Sequence, residues 1–288
     1  INEASEWEEV AANVLARDFT NGGCGDFTIE PARKFLFLNS TTGVTQDITV
    51  VSGRNYAVSF SGTGSITFSV GATGTLTGSG ATALDRVSSI VTTTGTSVTC
   101  TVSGTVQYVN IEINTDNSSV TYPTSWRKTL GSIVTRNADV PNLTGASALL
   151  GDSEGGLFVE WLAFDASQEN RIGISDGTFS NRFNLAISSG TFRMITVPGP
   201  VDFNGGTALS NVFYKTAGRY LINDFALYNN GVSIGSDSSA VTYSDGTLTD
   251  FSLSAWTGGS SIFYGRIRQL VIFNQGPTNS QLAAITTP

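Results

Sequence analysis

The sequence predicts an all-β protein made of two β-sandwich, jelly-roll-like domains in tandem, preceded by a short N-terminal arm. Glycine accounts for 32 of the 288 residues, which indicates many turns. Charged residues make up only 13%, and Val, Ile, Phe and Tyr recur at short intervals, as in short strands and not in long helices. The length exceeds that of an average single domain and suggests two.

The arm is predicted over residues 1–27. Apolar side chains between positions 1 and 15, of which Trp7 is the largest, recur at the spacing of one helix face. Three glycines within residues 21–25 then end any helix. Two interpretations are open: the arm folds onto its own domain, or it docks into a partner subunit.

The first sandwich is predicted over residues 28–118. Tyr56, Val58 and Phe60 alternate with smaller residues, which predicts a strand with one buried face and one wet face. Four glycines within residues 71–80 predict an exposed loop. Six strands are predicted, at 46–51, 56–61, 65–70, 88–93, 97–102 and 106–114.

A docked linker is predicted over residues 119–140, between the two tracts of strands. Pro123 fixes its own backbone φ angle and pushes Tyr122 toward extended geometry. Trp126 adds a large apolar side chain that a free linker would not need. We therefore assign Tyr122, Pro123 and Trp126 to an interdomain contact.

The second sandwich is predicted over residues 141–288. Its strongest signal is a hairpin over residues 224–234. Asn230 and Gly231 at its tip supply the two positive φ angles that a tight type I′ turn needs. This turn predicts two antiparallel strands on either side of it.

Three further elements of the second sandwich are predicted. Residues 155–164 form an alternating strand that opens on two glycines, and residues 263–273 form a closing strand. Thr278 and Gln281 have the spacing of a capping box, which begins a short terminal helix. The order strand, hairpin, closing strand and helix covers most of this domain.

Composition excludes several classes of function. The sequence has no histidine, which rules out Ser-His-Asp and Cys-His triads and His-ligated zinc. The formal net charge is −8 and no basic run exceeds two residues, so nucleic acid is not expected as a partner. No apolar run approaches the ~20 residues that span a bilayer, so membrane insertion is not expected. Cys24 and Cys100 are the only cysteines; free thiols are favoured, and pairing stays open.

Hydrolysis of a glycosidic bond requires two carboxylates about 5 to 10 Å apart. The acidic candidates do not share one strand face, because the positions two and four residues after Glu160 are Leu162 and Phe164. The sequence therefore predicts a protein that is not an enzyme. The candidates weighed are Glu154, Glu160, Asp165 and Glu169.

No cofactor is predicted, and calcium is the one that the sequence leaves open. Hard cations prefer oxygen ligands, and several aspartates lie beside glycines in predicted loops. The alternative is that these aspartates bind their own backbone and form turns. The aspartates concerned are Asp152, Asp176, Asp237 and Asp245.

The tryptophans carry the remaining functional signal, because sugars stack on flat apolar rings next to polar groups. Trp161 and Trp7 are interpreted as packing residues. Trp256 lies at the edge of a Gly/Ser loop, with Tyr243 and Asp245 upstream. We predict a glycan contact at Trp256, Tyr243 and Asp245; a half-buried structural role of Trp256 is the alternative.

Several motifs resemble those of phage virion and tail-fibre-type proteins. Tyr-Pro-Thr-Ser-Trp at 122–126 and Val-Thr-Arg-Asn-Ala-Asp-Val at 134–140 resemble the segment that precedes their lectin-like domains. Pro-Ala-Arg at 31–33 with Leu-Asn-Ser at 38–40 resembles the entry to a carbohydrate-binding-module-like sandwich. The strand, hairpin and closing strand of the second tract resemble concanavalin A-like and laminin-G-like domains.

The resemblance implies a non-catalytic structural or adhesive protein on the surface of a bacteriophage virion, as a tail fibre, tail-associated or capsid-decorating component. It implies other virion proteins as partners, a homo-oligomer, and contact with host or environmental glycan. Two alternatives stay open. One is a polysaccharide depolymerase or glycosidase on a concanavalin A-like sandwich, and the other is a secreted bacterial adhesin module.

Overall fold

The computed structural model describes residues 1–2, 4, 6, 8, 14–19, 24–151, 153–199 and 201–288. The chain divides into two compact units. Unit 1 comprises Ile1–Gly25 and Glu30–Asp139, and unit 2 comprises Asp26–Ile29 and Val140–Pro288. The predicted all-β class is confirmed, since nearly all regular structure is antiparallel strand. No helix in the described part of the chain has the length and apolar character needed to span a bilayer.

The N-terminal residues enter both units. The predicted helical arm and Trp7 lie largely outside the described residues. Two short strands follow, β1 (Ala16–Asp18) in unit 1 and β2 (Asp26–Ile29) in unit 2. Unit 1 is therefore inserted, along the chain, between β2 and the rest of unit 2.

Unit 1 contains two antiparallel sheets around one apolar core. Its further strands are β3 (Arg33–Phe35), β4 (Gln46–Thr49), β5 (Asn55–Ser61), β6 (Ser65–Ser69), β7 (Gly74–Thr77), β8 (Val87–Thr92), β9 (Ser97–Ser103), β10 (Gln107–Asn114) and β11 (Val134–Arg136), with a 3₁₀ turn at Ala83–Asp85. One sheet has the order β11-β3-β10-β5-β8 and the other β4-β9-β6-β7. Phe37, Phe60 and Ile66 are among the core side chains.

Two expectations for unit 1 are wrong. Residues 71–80 are not all loop, because β7 lies within them and pairs with β6. The second face of β5 is not wet, because Ala57 and Ser59 are fully buried. Local alternation could not show that another segment of the chain covers this face.

The covering segment is residues 119–130, which we call the strap. Asn110 and Glu112 of β10 point out of the same face as Ser59 and Ala57 of β5, with which they are paired. The Asn110 side-chain amide donates to the Ser125 carbonyl over 3.0 Å. The predicted linker therefore belongs to unit 1, where the strap lies on one sheet face and β11 pairs with β3.

Glu112 is the main anchor of the strap. The Thr124 backbone N–H and hydroxyl donate to its two carboxylate oxygens over 2.8 and 2.5 Å, and Arg33 Nε lies 3.6 Å away. The carboxyl group is fully buried. Burial raises the pKa of Glu112, whereas the Thr124 hydrogen bonds and the charges of Arg86 and Arg33 act in the opposite direction.

Unit 2 also contains two antiparallel sheets around one core. Its further elements are β12 (Asn142–Leu143), β13 (Glu154–Ala163), β14 (Asn170–Ser175), β15 (Arg182–Ser188), β16 (Thr191–Val197), β17 (Asp202–Gly205), β18 (Tyr214–Leu221), β19 (Phe225–Asn229), β20 (Val232–Asp237), β21 (Asp250–Ser252), β22 (Gly265–Phe273) and α1 (Asn279–Thr286), with a 3₁₀ turn at Ser147–Leu149. Within the unit one sheet has the order β2-β22-β13-β18-β19-β20, and the other β12-β21-β14-β15-β16-β17.

Strand β13 is the centre of unit 2. It pairs with β18 on one edge and with β22 on the other. Leu157 and Trp161 face the core, and the Trp161 indole donates to the Thr216 hydroxyl over 2.9 Å. Phe158, on the opposite face, packs with Leu282 of α1. Both faces of this sheet are therefore covered at Phe158 and Trp161, and Trp161 is a packing residue as predicted.

Local signals at the turn and the terminal helix are confirmed. Asn230 and Gly231 have φ angles of 46° and 79° and join β19 to β20. Thr278 caps α1, and the reciprocal capping box with Gln281 is formed. These motifs depend on neighbouring residues only, which is why the sequence reveals them.

The two cysteines are free thiols, Cys24 exposed and Cys100 buried. Burial, and next the charge of Asp47, raise the pKa of the Cys100 thiol to about 12. Cys100 therefore packs as a small apolar side chain in the core of unit 1.

A chain that begins at residue 140 should fold poorly, because it lacks β2. Removal of β2 leaves one edge of β22 unpaired and takes the fully buried Ile29 from the core. We expect light scattering to show that this shortened chain self-associates. We also expect its unit 2 to melt at a lower temperature than unit 2 of the full chain. In the full chain, Ile29→Ala should cost about 2–5 kcal/mol in calorimetry. A monomeric short chain with the melting temperature of the full chain would contradict this prediction.

Glu112 should make the stability of unit 1 depend on pH. Its folded pKa is raised above the ordinary value of 4.5, so the folded protein binds this proton more tightly than the unfolded chain. The resulting stabilisation is full below pH 4.5 and is lost as pH rises through the folded pKa. Chemical unfolding of the wild type and of Glu112→Gln should be measured across this pH window. As the pH rises, the free energy of unfolding of the wild type should fall relative to that of Glu112→Gln. A pH-independent difference, or one of the opposite sign, counts against the raised pKa.

Candidate functional site

The structure separates the three residues of the predicted glycan contact. Tyr243 is only 6% exposed and belongs to the core, where its hydroxyl donates to the Arg182 carbonyl and its ring lies 5.4 Å from that of Tyr220. Tyr243 therefore has no free ring face for a sugar, and the prediction that it contacts glycan is wrong. Asp245 is exposed. Trp256 is half-buried, and its aromatic ring reaches the surface.

Trp256 lies in a tight loop of residues 253–261, which we call the tryptophan loop. The Gly259 N–H donates to the Trp256 carbonyl over 2.8 Å, and the Ala255 N–H donates to the Ser260 carbonyl over 3.2 Å. A Cβ at Gly259 would come within 2.5 Å of the indole ring. Glycine is therefore required where the backbone passes the ring.

Phe179 is the aromatic neighbour of Trp256. Their ring centroids are 5.5 Å apart with an interplanar angle of 87°. Phe179 is 57% exposed, which is unusual for so large an apolar ring, and it lies in the loop between β14 and β15. The two rings form one aromatic surface, which we call the aromatic pair.

Asp176 fixes the loop that presents Phe179. Its Oδ1 accepts from the Thr178 N–H and hydroxyl over 2.8 and 2.6 Å, and its Oδ2 accepts from the Asn181 side chain over 2.7 Å. Slight burial acts to raise the pKa of Asp176, but the hydrogen bonds from Asn181 and Thr178 outweigh it and lower the pKa. The aromatic ring is thus held on a preformed turn, which reduces the entropy lost when a ligand binds.

Arg182 underlies the aromatic pair. Its guanidinium carbon lies 3.7 Å from the Phe179 ring centroid and 5.7 Å from that of Trp256, and Nη1 donates to the Phe179 carbonyl. Arg182 is 4% exposed. Burial, and next the charge of Arg171, lower the pKa of Arg182.

The sheet that bears Arg182 has one face on the core and one outer face. Phe183 and Leu185 of β15 belong to the core, so Arg182 and Asn184 lie on the outer face. Register places Ala186 opposite Arg171 of β14 on one side and Arg193 of β16 on the other. Arg171 and Arg193 therefore flank Ala186, and Arg182 lies four residues along β15 on the same face.

Two of these arginines have acidic partners. Arg171 pairs with Glu169, which also accepts from the Ser261 hydroxyl over 2.8 Å. Arg193 pairs with Asp202 over 2.5 Å. Arg182 forms no ion pair among the described residues.

Asn184 connects the tryptophan loop to the sheet. Its side-chain amide donates to the Ala255 carbonyl over 2.9 Å, and Asn184 is fully buried. The hydrogen bond passes over Gly173 of β14, where a Cβ would lie 1.9 Å from Asn184 Nδ2. The absence of a side chain at Gly173 allows this contact.

The carboxylates weighed for hydrolysis have structural hydrogen-bond partners. Glu154 accepts from the Gly276 N–H over 3.0 Å, Glu160 pairs with Arg268 at 3.4 Å, and Asp165 accepts from the Ser167 N–H over 3.0 Å. Glu169 is held by Arg171 and Ser261, as described above. These contacts explain the positions of the four carboxylates without a reaction.

The aspartates weighed for calcium form turns where the structure describes their contacts. Asp237 Oδ1 accepts from the Ser239 and Ala240 N–H groups over 2.7 and 2.8 Å, in the way that Asp176 orders its own loop. Asp152 lies outside the described residues. Among those that are described, no group of three or more Cys, Asp or Glu side chains has a metal-binding arrangement.

The residues predicted at an interdomain contact have partners inside unit 1. The Trp126 ring is 5.0 Å from the Tyr108 ring, edge to face, and Arg33 lies 5.2 Å from the Tyr122 ring centroid. Pro123 directly precedes Thr124, the residue that binds Glu112. These contacts hold the strap on its own sheet, and the interdomain role stays a prediction.

Sequence reasoning did not identify Phe179, Arg182 or Asn184. An aromatic residue inside Asp-Gly-Thr-Phe-Ser-Asn, a run of turn-forming residues, is a signal for Phe179. The alternation Arg-Phe-Asn-Leu-Ala-Ile shows that Arg182 and Asn184 share one face. No local signal shows that Trp256, more than seventy residues away, lies beside them.

No family model and no curated protein matches the sequence. Among solved structures, the chain is similar to the CBM40 module of the Ruminococcus gnavus IT-sialidase bound to alpha2,3 sialyllactose, with 16% identity over 50% of this chain and 87% of that one and a TM-score of 0.43. It is similar to domain 4 of an extracellular arabinanase from Geobacillus stearothermophilus, with 14% identity over 48% and 69% and a TM-score of 0.39. A SAP-like pentraxin from Limulus polyphemus shares 11% identity over 47% and 70%, with a TM-score of 0.38. These values assign neither a family nor a function.

Gly173→Ala should detach the tryptophan loop. The new methyl group must displace the Asn184 amide, which then loses its hydrogen bond to Ala255. We expect the free energy of unfolding to fall by about 1–3 kcal/mol and the tryptophan emission to shift to longer wavelength. Gly131→Ala is the matched control, because a Cβ there meets open space, and its stability should change by less than about 0.5 kcal/mol. Equal effects of the two substitutions would show that the close approach at Gly173 does not hold the loop.

Proposed function

We propose that this protein is a non-catalytic glycan-binding protein, and that unit 2 binds sugar at the aromatic pair of Phe179 and Trp256. The observation that carries the proposal is the exposed Phe179 ring on a turn ordered by Asp176. A sugar presents C–H groups on one face of its ring, and these pack on aromatic rings. An aromatic surface beside polar groups meets that requirement.

We propose that the chain does not hydrolyse the glycan it binds. Glu154 accepts a structural hydrogen bond, and Glu160 and Glu169 form structural ion pairs. The absence of histidine from the sequence removes the commonest acid–base side chain. A binding role needs neither paired carboxylates nor histidine.

We propose the surface of a bacteriophage virion as the setting, with other virion proteins and further copies of the chain as partners. This part rests on the motifs at 122–126 and 134–140 and on their resemblance to tail-fibre-type proteins. The aromatic pair is a small surface, so a single site should bind weakly. Many copies on one particle raise the effective concentration and recover affinity by about 10²-fold or more.

The aromatic pair is tested by substitution in the full chain. Phe179→Ala and Trp256→Ala should each weaken binding to a glycan array at least about fivefold, because each removes a stacking face. The protein is applied both as the free chain and as a tetramer on a streptavidin scaffold, and released reducing ends are measured in parallel. Ile222→Ala is the matched control, since Ile222 is 58% exposed, as Phe179 is, but lies in the turn between β18 and β19.

Three outcomes would contradict the proposed function. If no glycan binds in either format, the proposed glycan-binding function is wrong. Binding that Phe179→Ala and Trp256→Ala leave unchanged places the sugar elsewhere on the molecule. Reducing ends released by the wild type show that the protein is an enzyme.

A further inference from the structure

We propose that the outer sheet face beneath the aromatic pair binds the carboxylate of an acidic sugar, so that the ligand is a glycan containing hexuronic or nonulosonic acid. This inference rests on the proposed function, because it names the substrate class of the same site. It goes beyond that function by assigning a charged-group position and the residues that form it: Arg171, Arg182, Asn184 and Thr257.

The first step is that no acidic side chain among the described residues lies within ion-pair distance of Arg182. Arg171 and Arg193 are neutralised by Glu169 and Asp202. Arg182 is 4% exposed and forms no ion pair among the described residues, although the sequence as a whole carries a net charge of −8. The charge of Glu169 acts on Arg182 only from beyond contact distance. A buried cation without a direct ion pair is costly, and a bound anion would offset that cost.

The second step is a group of unpartnered polar atoms in the same place. In this part of unit 2, four buried side-chain atoms of described residues have no hydrogen-bond partner: Nε of Arg171, Nε of Arg182, Oδ1 of Asn184 and Oγ1 of Thr257. Buried polar atoms normally have partners, so a cluster of them indicates a missing ligand group. Asn184 is fully buried, so solvent does not donate a hydrogen bond to its Oδ1.

The third step is that these atoms are neighbours. Arg182 and Asn184 lie two residues apart on one face of β15, and Arg171 lies on the same face of the neighbouring strand β14, opposite Ala186. Thr257 follows Trp256 in the tryptophan loop, which Asn184 holds at Ala255. The atoms therefore belong to one site under the aromatic pair.

The fourth step is the chemistry of the four atoms. The two Nε–H groups are donors and need acceptors, which a carboxylate supplies with charge-assisted hydrogen bonds. Asn184 Oδ1 is an acceptor and needs a donor, which a sugar hydroxyl supplies. An acidic sugar carries both groups on one ring, and the ring can stack on Phe179 and Trp256. A neutral sugar would leave the charge of Arg182 without a counter-ion.

Binding must move the tryptophan loop, because all four atoms are buried in the ligand-free protein. The link to be broken is the Asn184–Ala255 hydrogen bond across Gly173. The Trp256 ring moves with this loop. Ligand binding should therefore change the tryptophan fluorescence, which gives a readout independent of the array.

The test compares acidic glycans with their own neutral forms, using the full chain. The probes are oligosaccharides that end in a hexuronic or nonulosonic acid, each paired with the same oligosaccharide after reduction of its carboxyl group to an alcohol. The wild type should bind at least one acid about tenfold more tightly than its reduced partner. Arg171→Gln should lower this preference to less than about threefold.

Two further variants complete the test. Arg54→Gln alters the net charge by the same amount at an exposed position in unit 1 and should keep the preference. Arg182→Lys keeps the charge but removes Nε, and should also lower the preference; Arg171→Gln decides if Arg182→Lys does not fold. Tryptophan emission should change with the acid and less with the reduced partner.

Each outcome decides between the two proposals. Equal binding of acids and reduced partners by the wild type overturns the carboxylate site and leaves the glycan-binding function in place. An acid preference that Arg171→Gln retains, or that Arg54→Gln also removes, overturns the assignment to this face. Binding of no glycan at all overturns both proposals.

Discussion

The fold of unit 2 depends on the burial of strand β13 on all sides. It is paired along both edges, and its side chains pack alternately on the sandwich core and beneath α1. Apart from the partly exposed Glu154 and Glu160, this strand is buried, so the sheet that contains it serves for stability. The opposite sheet has only its inner face in the core. Its outer face can therefore carry arginine, asparagine and an aromatic pair, groups that a core would not accept unpaired.

Local patterns were sufficient to predict much of the fold. The turn at Asn230 and Gly231 is specified by two adjacent residues that tolerate positive φ, and the cap at Thr278 by a spacing of three. Six strands of unit 1 follow from alternation, and most of their predicted ends agree with the structure within one or two residues, whereas β1, β3, β7 and β11 were not predicted. Such features need no knowledge of what the chain contacts elsewhere.

The remaining features depend on contacts between distant parts of the chain. Tyr243 lies among Ser, Asp and Gly, which indicates an exposed loop, yet its ring packs against Tyr220 in the core. The outer face of β5 alternates as a wet face would, yet the strap covers it through Glu112. The surface around Phe179 requires two loops and three strands to meet. Periodicity shows which side of a strand a residue occupies, but it does not show what lies on that side.

The insertion of unit 1 between β2 and the remainder of unit 2 fixes an order of events during synthesis. Phe27 of β2 pairs with Ile267 of β22, so about 240 residues must be translated before the partner exists. At roughly 5–20 residues per second, β2 waits on the ribosome for about 10 to 50 s. Unit 1 is made within that interval and can fold first. Unit 2 is closed last, by the joining of its earliest and almost its latest segments, so a prematurely terminated chain yields a folded unit 1 without a completed unit 2.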